Sequence, residues 1–488
     1  MSFLKVITMG MSDREFFGRS VLLKSSVWYI ITSFLSKGIV FLMVPFYVRF
    51  LSKEEYGGFS NFISWLSILS STTIMNLQLF IMKNKSEYED RLQSFLFNVY
   101  LAILIVVIVI ILPIVSFPQY FQSLFNMTAS QFYMLIPYLL FVPMFYLYTG
   151  LLRAMFRVKT FVVANLLVTF STAIFSVLFI LIFQEERLNA FTVAQTFPLT
   201  LVGSIFLVMI LFKGVVVDSN IVKDAFGMGL PMIPHILGLT IISKIDRVMI
   251  TKQVGEVATA HYSVAANITL VLTTLSVAMN NAFVPWFVKQ LEMDREEQVR
   301  KTSGIFMLTF TLIVLVFALI APEIIYIWAG KNYAESTLLL PPLLISVAFT
   351  HFYTMYVNVE YYMESKKMIV SSTMIASLFN IVTNYFFIDL FGYQAAAYTT
   401  AASNLLLFFL HYWATRRLNK HHLLAGNVAW LSVLILVCTV YPLTLFYKFT
   451  VARWIIAVMI LIVATMFLIR LRKNKINFFR KGEKIQNV

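Results

Sequence analysis

The sequence predicts an all-α polytopic membrane protein of about fourteen transmembrane helices, and three observations predict it. Sixty per cent of the 488 residues are hydrophobic and only 12% are charged, with a mean hydropathy of +0.83; soluble domains are about half apolar and a quarter charged. The apolar residues lie in unbroken runs long enough to cross a hydrocarbon core, which takes about 20 helical residues. These runs do not alternate over about ten residues as barrel strands do.

The runs fall at 21–45, 57–82, 92–116, 130–152, 160–183, 190–212, 226–251, 259–286, 303–328, 337–361, 368–388, 393–415, 424–447 and 452–470. The first carries Lys24 near its end, where the stem reaches the interface, then Lys37 further in, and is interrupted by Pro45. The second is lined by Ser64, Ser67, Ser71 and Gln78 on one face, with Asn76 near. The seventh opens with "GLPMIPH", where Pro231 and Pro234 favour a kink. The tenth carries His351, Thr354 and Asn358 on one line and Glu360 with Tyr353 and Tyr356 on another. These runs organise the chain as an N-terminal bundle (21–212), a C-terminal bundle (226–415) and helices 13 and 14 (424–470), flanked by a segment at 1–20 and a basic tail at 471–488. No soluble domain remains between them. Residues 1–20 lack a compact apolar stretch and a small-residue cleavage site, so no removable signal peptide is expected. The single cysteine, Cys438, lies in a predicted helix and implies neither disulfide, metal site nor nucleophile.

Lys and Arg counts give the orientation, because cytoplasmic loops hold the excess. Alternate segments beginning with the N-terminus hold 27 of them and the other seven loops only 7. Both termini are therefore expected in the cytoplasm. Adding or dropping one helix would mix the two groups, so the same count supports the helix number. Most of the net charge of +15 is this bias, and no nucleic-acid partner is implied.

Lys37, Lys244 and Arg247 remain deep in predicted helices. A cation at mid-membrane costs about 2.5–3.5 kcal/mol on insertion scales, so it faces a bundle interior or a hydrated cavity. At 100° per residue Thr240, Lys244, Arg247 and Thr251 form one polar stripe, while Asp246 lies on a line with Ile242, Gly238 and His235. Ser26, Ser33 and Lys37 repeat the device in the first helix. Together with Gln78, His235, His351 and Asn358 these residues are expected to line a hydrated, net cationic cavity, without a metal site or cofactor. The competing reading is structural: Ser and Thr stripes as helix packing, the histidines as satisfied contacts, Asp246 as a salt-bridge partner.

A short internal repeat accompanies these charges. "FLSKGIVF" in the first helix and "IISKIDRV" in the seventh each lead through an outer loop to a helix with an aromatic-Ser pair. Equivalent helices six apart keep one orientation, the parallel-repeat arrangement of transporters.

The pattern "GLPMIPH…SKIDRVMITKQVGEVATAHYSVA", with "FLSKEEYGGFSNF", "NNAFVPWF" and "NYFFIDLFGYQAAAYTTAASN", resembles the polysaccharide-unit flippases (Wzx type) of the MATE-like multidrug/oligosaccharidyl-lipid/polysaccharide exporter superfamily. The resemblance spans roughly residues 18–417 and rests on order and spacing. The family's Asp-Arg falls at Asp246 and Arg247, its outer-loop Tyr-Gly at Tyr56 and Gly57, and its late Gly at Gly392; Gln394 departs from the usual small residue. Many members are drawn with twelve helices, so helices 13 and 14 are an addition.

The resemblance implies two six-helix bundles around a central cavity in the bacterial cytoplasmic (inner) membrane. The implied activity is transfer of undecaprenyl-diphosphate-linked oligosaccharide units to the outer leaflet, for O-antigen or other polysaccharide assembly. Beyond membrane lipids, the implied partners are a polysaccharide polymerase and a chain-length regulator. Lys37, Lys244 and Arg247 would hold the diphosphate by charge-assisted hydrogen bonds; Asp246 and Glu360 would carry a coupling proton or sodium ion, or pair with the cations. Three rivals stay open. Lipid II and teichoic-type exporters share the superfamily. A MATE-type drug exporter of organic cations would call for carboxylates rather than these three cations. A membrane glycosyltransferase or polymerase has only Glu54 with Glu55, or Glu185 with Glu186, as outer-loop carboxylate pairs, and no outer domain to hold a sugar chain.

Overall fold

The computed structural model describes residues 19–463, 465 and 466. Residues 1–18, which make up most of the expected N-terminal segment, and the whole basic tail at 471–488 lie outside the described residues. Among the described residues every regular element is a helix. In chain order these are α1 Arg19–Phe50, α2 Lys53–Ile74, α3 Leu77–Asn84, α4 Leu92–Ser116, α5 Pro118–Phe125, α6 Ala129–Ala154, α7 Val158–Ile182, α8 Arg187–Leu211, α9 Ser219–Gly229, α10 Ile233–Gln253, α11 Glu256–Ile268, α12 Leu270–Glu292, α13 Glu296–Leu319, α14 Ala321–Ala329, α15 Leu340–Tyr362, α16 Lys366–Phe391, α17 Ala395–Arg417 and α18 Gly426–Leu445. The helix Thr450–Val463 follows as α19.

Among the described residues eleven stretches are long and apolar enough to cross a membrane. One, Lys53–Ser116, contains both the second and the third expected runs. α17 has crossing length with a more polar composition, and α19 is a shorter apolar helix. Each of the fourteen expected runs thus falls on helix, as far as the described residues extend.

The expected runs are less continuous than their hydropathy suggests. Met75 and Asn76 take left-handed backbone (φ 50° and 54°) and separate α2 from α3. The seventh run is divided by the 3-10 turn Leu230–Met232 between α9 and α10, where Pro231 and Pro234 remove N–H donors and crowd the preceding turn. The eighth breaks at Thr269. The ninth ends at Leu319, and Pro322 opens α14, whose first turn suits proline's fixed φ.

The element order recurs along the chain. α4 to α8 have 25, 8, 26, 25 and 25 residues, and α13 to α17 have 24, 9, 23, 26 and 23. The short second member of each set carries proline in its first turn. The third and fourth members are joined through one left-handed residue, Phe156 (φ 54°) in the first set and Glu364 (φ 55°) in the second. The third member is also the most buried span of each set: α6 at 61% and α15 at 83%. This correspondence extends the short sequence repeat over whole elements.

The chain divides into two compact units. The first contains the residues up to Ser263 together with Thr373–Ala396; the second contains Val264–Ser372 and the residues from Ala397 on. In the first unit Phe95, Val99 and Ile103 of α4 join a core with Met144, Leu147 and Leu151 of α6 and Phe206 of α8. Helix starts are set by capping boxes: the Glu55 amide donates to Ser52 Oγ while the Ser52 amide donates to the Glu55 carboxylate, and Thr128 with Gln131 repeats the arrangement at α6. Gly57 shows how closely two helices approach, since a Cβ there would lie 1.9 Å from the Glu256 carbonyl oxygen at the start of α11.

In the second unit α19 is tied to the end of α13. Arg453, 2% exposed, donates to the Leu319 carbonyl (2.6 Å) and in a two-pronged pair to both oxygens of Glu323 (2.9 Å each). Tyr447 donates to the Ala318 carbonyl at 3.1 Å. The last carbonyls of α13 have no partner inside their own helix, and a cation is favourable at that negative end. Burial opposes ionisation of Glu323, yet hydrogen bonding from Arg453 and that residue's charge hold its carboxyl below the usual carboxylate range.

Gly57→Ala is expected to cost at least about 3 kcal/mol through backbone overlap, whereas Gly58→Ala, whose nearest non-local atom would be 3.5 Å away, should leave the melting temperature in detergent nearly unchanged. Arg453→Ala should destabilise the second unit by about 3 kcal/mol, because the breakage leaves a partly buried carboxylate without its cation. Since the Glu323 pKa is depressed, its contribution is full above the unfolded carboxylate range and lost as pH falls through the lower folded value. A melting series down that acid range should show wild type converging on Glu323→Gln.

Candidate functional site

The densest polar cluster of the first unit lies where α10, α11 and the Thr373–Phe391 part of α16 meet. Four residues of α10 at helical spacing, His235, Gly238, Ile242 and Asp246, are all buried. Their counterpart on α16 is a polar row of the same period, Thr373, Ser377, Asn380 and Asn384, also buried. His235 Nδ1 lies 3.0 Å from Thr373 Oγ1. Gly238 lets the helices close, since a Cβ there would meet the Thr373 methyl at 3.0 Å and Ser377 Oγ at 3.3 Å. At the far end of the row Asp246, 1% exposed, accepts from Asn384 Nδ2 at 2.6 Å and from the Tyr262 hydroxyl. The carboxylate is thereby held between two helices by donors, not by open water.

Arg247 turns to the other side of α10. Its Nε donates to Ser263 Oγ (3.2 Å), its Nη1 donates to the Ser243 carbonyl (3.1 Å), and the guanidinium stands over the Tyr262 ring at 5.8 Å. Tyr262 therefore touches both members of the Asp-Arg dipeptide, by its hydroxyl and by its face. Lys244 is half-buried and feels the Arg247 charge. Thr240 is half-buried, with its hydroxyl donating back to the Ile236 carbonyl at 2.9 Å. On α1, Lys37 and Ser33 are both exposed, and Ser36 accepts from Thr169 of α7 at 3.1 Å.

Two irregular stretches of backbone adjoin in the same unit. A Cβ on Gly229, the last residue of α9, would lie 3.0 Å from Met75 Cβ. The kink before α10 thus lies against the left-handed break between α2 and α3. Broken backbone at membrane depth needs protein partners or a hydrated lining. Gln78 is set just past the break, on α3. It is half-buried and accepts from Arg153 Nη2 of α6 at 2.8 Å.

The other three expected residues belong to the second unit, all on α15, its most buried helix. His351 is 1% exposed, hydrogen-bonds Ser276 Oγ through Nδ1 at 2.9 Å and stacks on Phe310 at 4.3 Å. Asn358 donates to Asn280 Oδ1 at 2.8 Å. Glu360 forms a fully buried pair with His411 Nδ1 of α17 at 2.7 Å. Among the described residues neither Glu360 Oε2 nor His411 Nε2 has a hydrogen-bond partner. Tyr353 stacks on the His411 ring at 5.6 Å.

Eight expected site residues are thus in one unit and three in the other. Sequence reasoning did not single out Asn380, Asn384 or His411. The α16 row was legible, since Thr373, Ser377, Asn380 and Asn384 follow the same i, i+4, i+7, i+11 spacing as the α10 stripe. A mid-helix histidine at 411 is the same class of feature as His351. Tyr262 was visible only as the aromatic member of the aromatic-Ser pair in the repeat, which gave it no contact with Asp246 or Arg247.

An all-helical chain with eleven stretches of crossing length among its described residues, and with buried charges within them, is a multi-pass membrane protein in its class. Its fold is that of solved transporters. The chain is similar to the lipid II flippase MurJ in an inward closed conformation, with a TM-score of 0.68, 12% identity, and coverage of 90% of this chain and 98% of that one. It is also similar to an inward-facing multidrug resistance MATE family transporter of the MOP superfamily, with a TM-score of 0.61, 14% identity, and coverage of 86% and 99%. A model of the family described as polysaccharide biosynthesis protein matches residues 22–291, more than half of the chain, and the protein belongs to that family. It is 22% identical over 385 residues to the Lsg locus putative protein 1 of Haemophilus influenzae, covering 74% of this chain and 90% of that protein.

Removing the anchors of the cluster should cost unequal amounts of stability. His235→Ala removes the hydrogen bond to the Thr373 hydroxyl and should cost about 1 kcal/mol, whereas Asn384→Ala strips a donor from a buried carboxylate and should cost about 2 kcal/mol or more. Thermal melting of the purified protein in one detergent would rank them.

Proposed function

We propose that this protein carries undecaprenyl-diphosphate-linked oligosaccharide units from the cytoplasmic to the outer leaflet of the bacterial inner membrane by alternating access, for assembly of O-antigen or a related polysaccharide. The observation that carries the reading is the set of three cations within membrane-crossing helices of one unit. Lys37 is exposed, Lys244 half-buried, and Arg247 uses two of its five N–H donors on Ser263 and Ser243. Membership of a polysaccharide-biosynthesis family supports a lipid-linked glycan as the cargo. A diphosphate between lipid and sugar brings at least two negative charges into the membrane, and Lys and Arg donors replace the water those charges lose. Hydroxyls and amides such as Ser33, Thr240 and Gln78 suit sugar hydroxyls.

In this reading the lipid tail stays in the bilayer while the cations hold the head, and transport is coupled to a proton or sodium ion. Asp246 and Glu360 are the carboxylates proposed for that coupling. Asp246 is oriented by Tyr262 and Asn384, and Glu360 is paired with His411. The lysine and arginine bias of the loops supports both termini in the cytoplasm. A polymerase and a chain-length regulator would act on the delivered units at the outer face.

Deletion of the gene should abolish long-chain surface polysaccharide and accumulate lipid-linked units inside, with wild type restoring display. Lys37→Ala, Lys244→Ala and Arg247→Ala, at matched protein levels, should each fail to restore it, by tenfold or more if each contributes about 1.5–3 kcal/mol as a charged hydrogen-bond donor. Normal display in all three variants would end the assignment of the cations. Unchanged polysaccharide in the deletion, with heightened drug sensitivity, would end the assignment of the cargo.

A further inference from the structure

A charged cavity lies wholly within the second unit and is used by nothing above. It has a volume of about 650 Å³ and is bounded by the start of α13, the end of α17 and the turn into α18. Arg300, Lys301, Arg416, His421 and His422 line it. Lys301 is paired with Glu297 at 2.6 Å and His422 with Glu296 at 3.1 Å. Among the described residues no carboxylate is hydrogen-bonded to Arg300, Arg416 or His421. No side chain caps α18, and with the Gly426 amide donating to the Leu424 carbonyl at 2.9 Å, the Asn427 and Val428 amides remain as first-turn donors; the start of that helix, Gly426 to Val428, forms one wall. Gly304 fixes this wall, since a Cβ there would lie 3.0 Å from Ala425 Cβ.

The opposite quality of the lining decides the ligand class. Ile305, Leu308 and Leu424 give the cavity an apolar side beside its cations, which a free anion does not need and a lipid does. The same helix end carries an interfacial anchor next to the lining residues Tyr412 and Arg416: Trp413 is 44% exposed and Arg417 stacks on its ring at 3.6 Å. Exposed tryptophan beside arginine marks headgroup depth. The loops that supply the cations, 287–302 and 416–423, belong to the Lys- and Arg-rich set assigned to the cytoplasm, where leaflet lipids are anionic. We propose that this cavity binds the phosphate headgroup of an anionic phospholipid of the cytoplasmic leaflet, with Arg300, Arg416 and the α18 amides on the phosphate and the apolar side against the first acyl carbons. The site is separate from the proposed substrate cations, which belong to the first unit.

The test is native mass spectrometry of the purified full-length protein with phosphatidylglycerol, phosphatidylethanolamine and, as a soluble competitor, millimolar pyrophosphate. The wild type should retain phosphatidylglycerol over phosphatidylethanolamine. Arg300→Gln with Arg416→Gln should weaken phosphatidylglycerol retention about thirtyfold, at roughly fivefold per cation near an anionic headgroup, while Arg300→Lys with Arg416→Lys should keep most of it. The lysine pair serves as the folding control, checked with the glutamine pair by melting temperature. Equal retention in wild type and the folded glutamine variant would overturn the site. Displacement of the lipid by pyrophosphate would overturn the lipid assignment and make this a soluble phosphate site.

Discussion

A hydrocarbon interior cannot hydrogen-bond a peptide group or hydrate a charge, and the arrangement of this protein follows from that single deficiency. Every ionisable group placed within the crossing helices must find its solvent in the protein. Asp246 finds it in an asparagine amide and a tyrosine hydroxyl. Arg247 finds it in a serine hydroxyl, a backbone carbonyl and an aromatic face. Glu360 is given a histidine. Each substitute for water is supplied by a different helix or an adjacent turn, so the charges also fix which helices lie together.

The same rule governs backbone. Helices 2 and 7 of the predicted series both break, and their breaks adjoin at Met75 and Gly229. Small residues make such approaches possible. Gly57 sets α2 directly on the backbone of α11, and Gly238 brings α10 onto the polar row of α16. In lipid, where apolar side chains gain little by leaving the solvent, close packing and hydrogen bonds must do much of the work of association.

The last two described helices follow a different logic. α19 is tied by a buried arginine to the carbonyl end of α13 and to Glu323, which makes the C-terminal addition an integral part of the second unit. The turn leading into α18, in contrast, leaves cations around an open cavity. One end of this addition is locked by protein carboxylate and carbonyl groups; at the other, Lys301 and His422 are paired with Glu297 and Glu296, while among the described residues no carboxylate is hydrogen-bonded to Arg300 or Arg416.

The sequence by itself determined the all-helical membrane class, the positions of nearly all crossing helices and the residues that would be anomalous in lipid, because hydropathy and charge are properties of short windows. It also marked the kink at Pro231 and Pro234, since proline acts on its own backbone. The tertiary structure alone decided what each anomalous residue touches. Hydropathy continued the second helix through Met75 and Asn76, and the ninth through Leu319, because it carries no information about backbone φ. The stripe from His235 to Asp246 was visible on α10, but its partner row on α16 is 138 residues away in the chain. Only packing could join Asp246 to Asn384 and Tyr262, Glu360 to His411, and Arg453 to Glu323, because each pair is a meeting of separate helices and no local pattern encodes it.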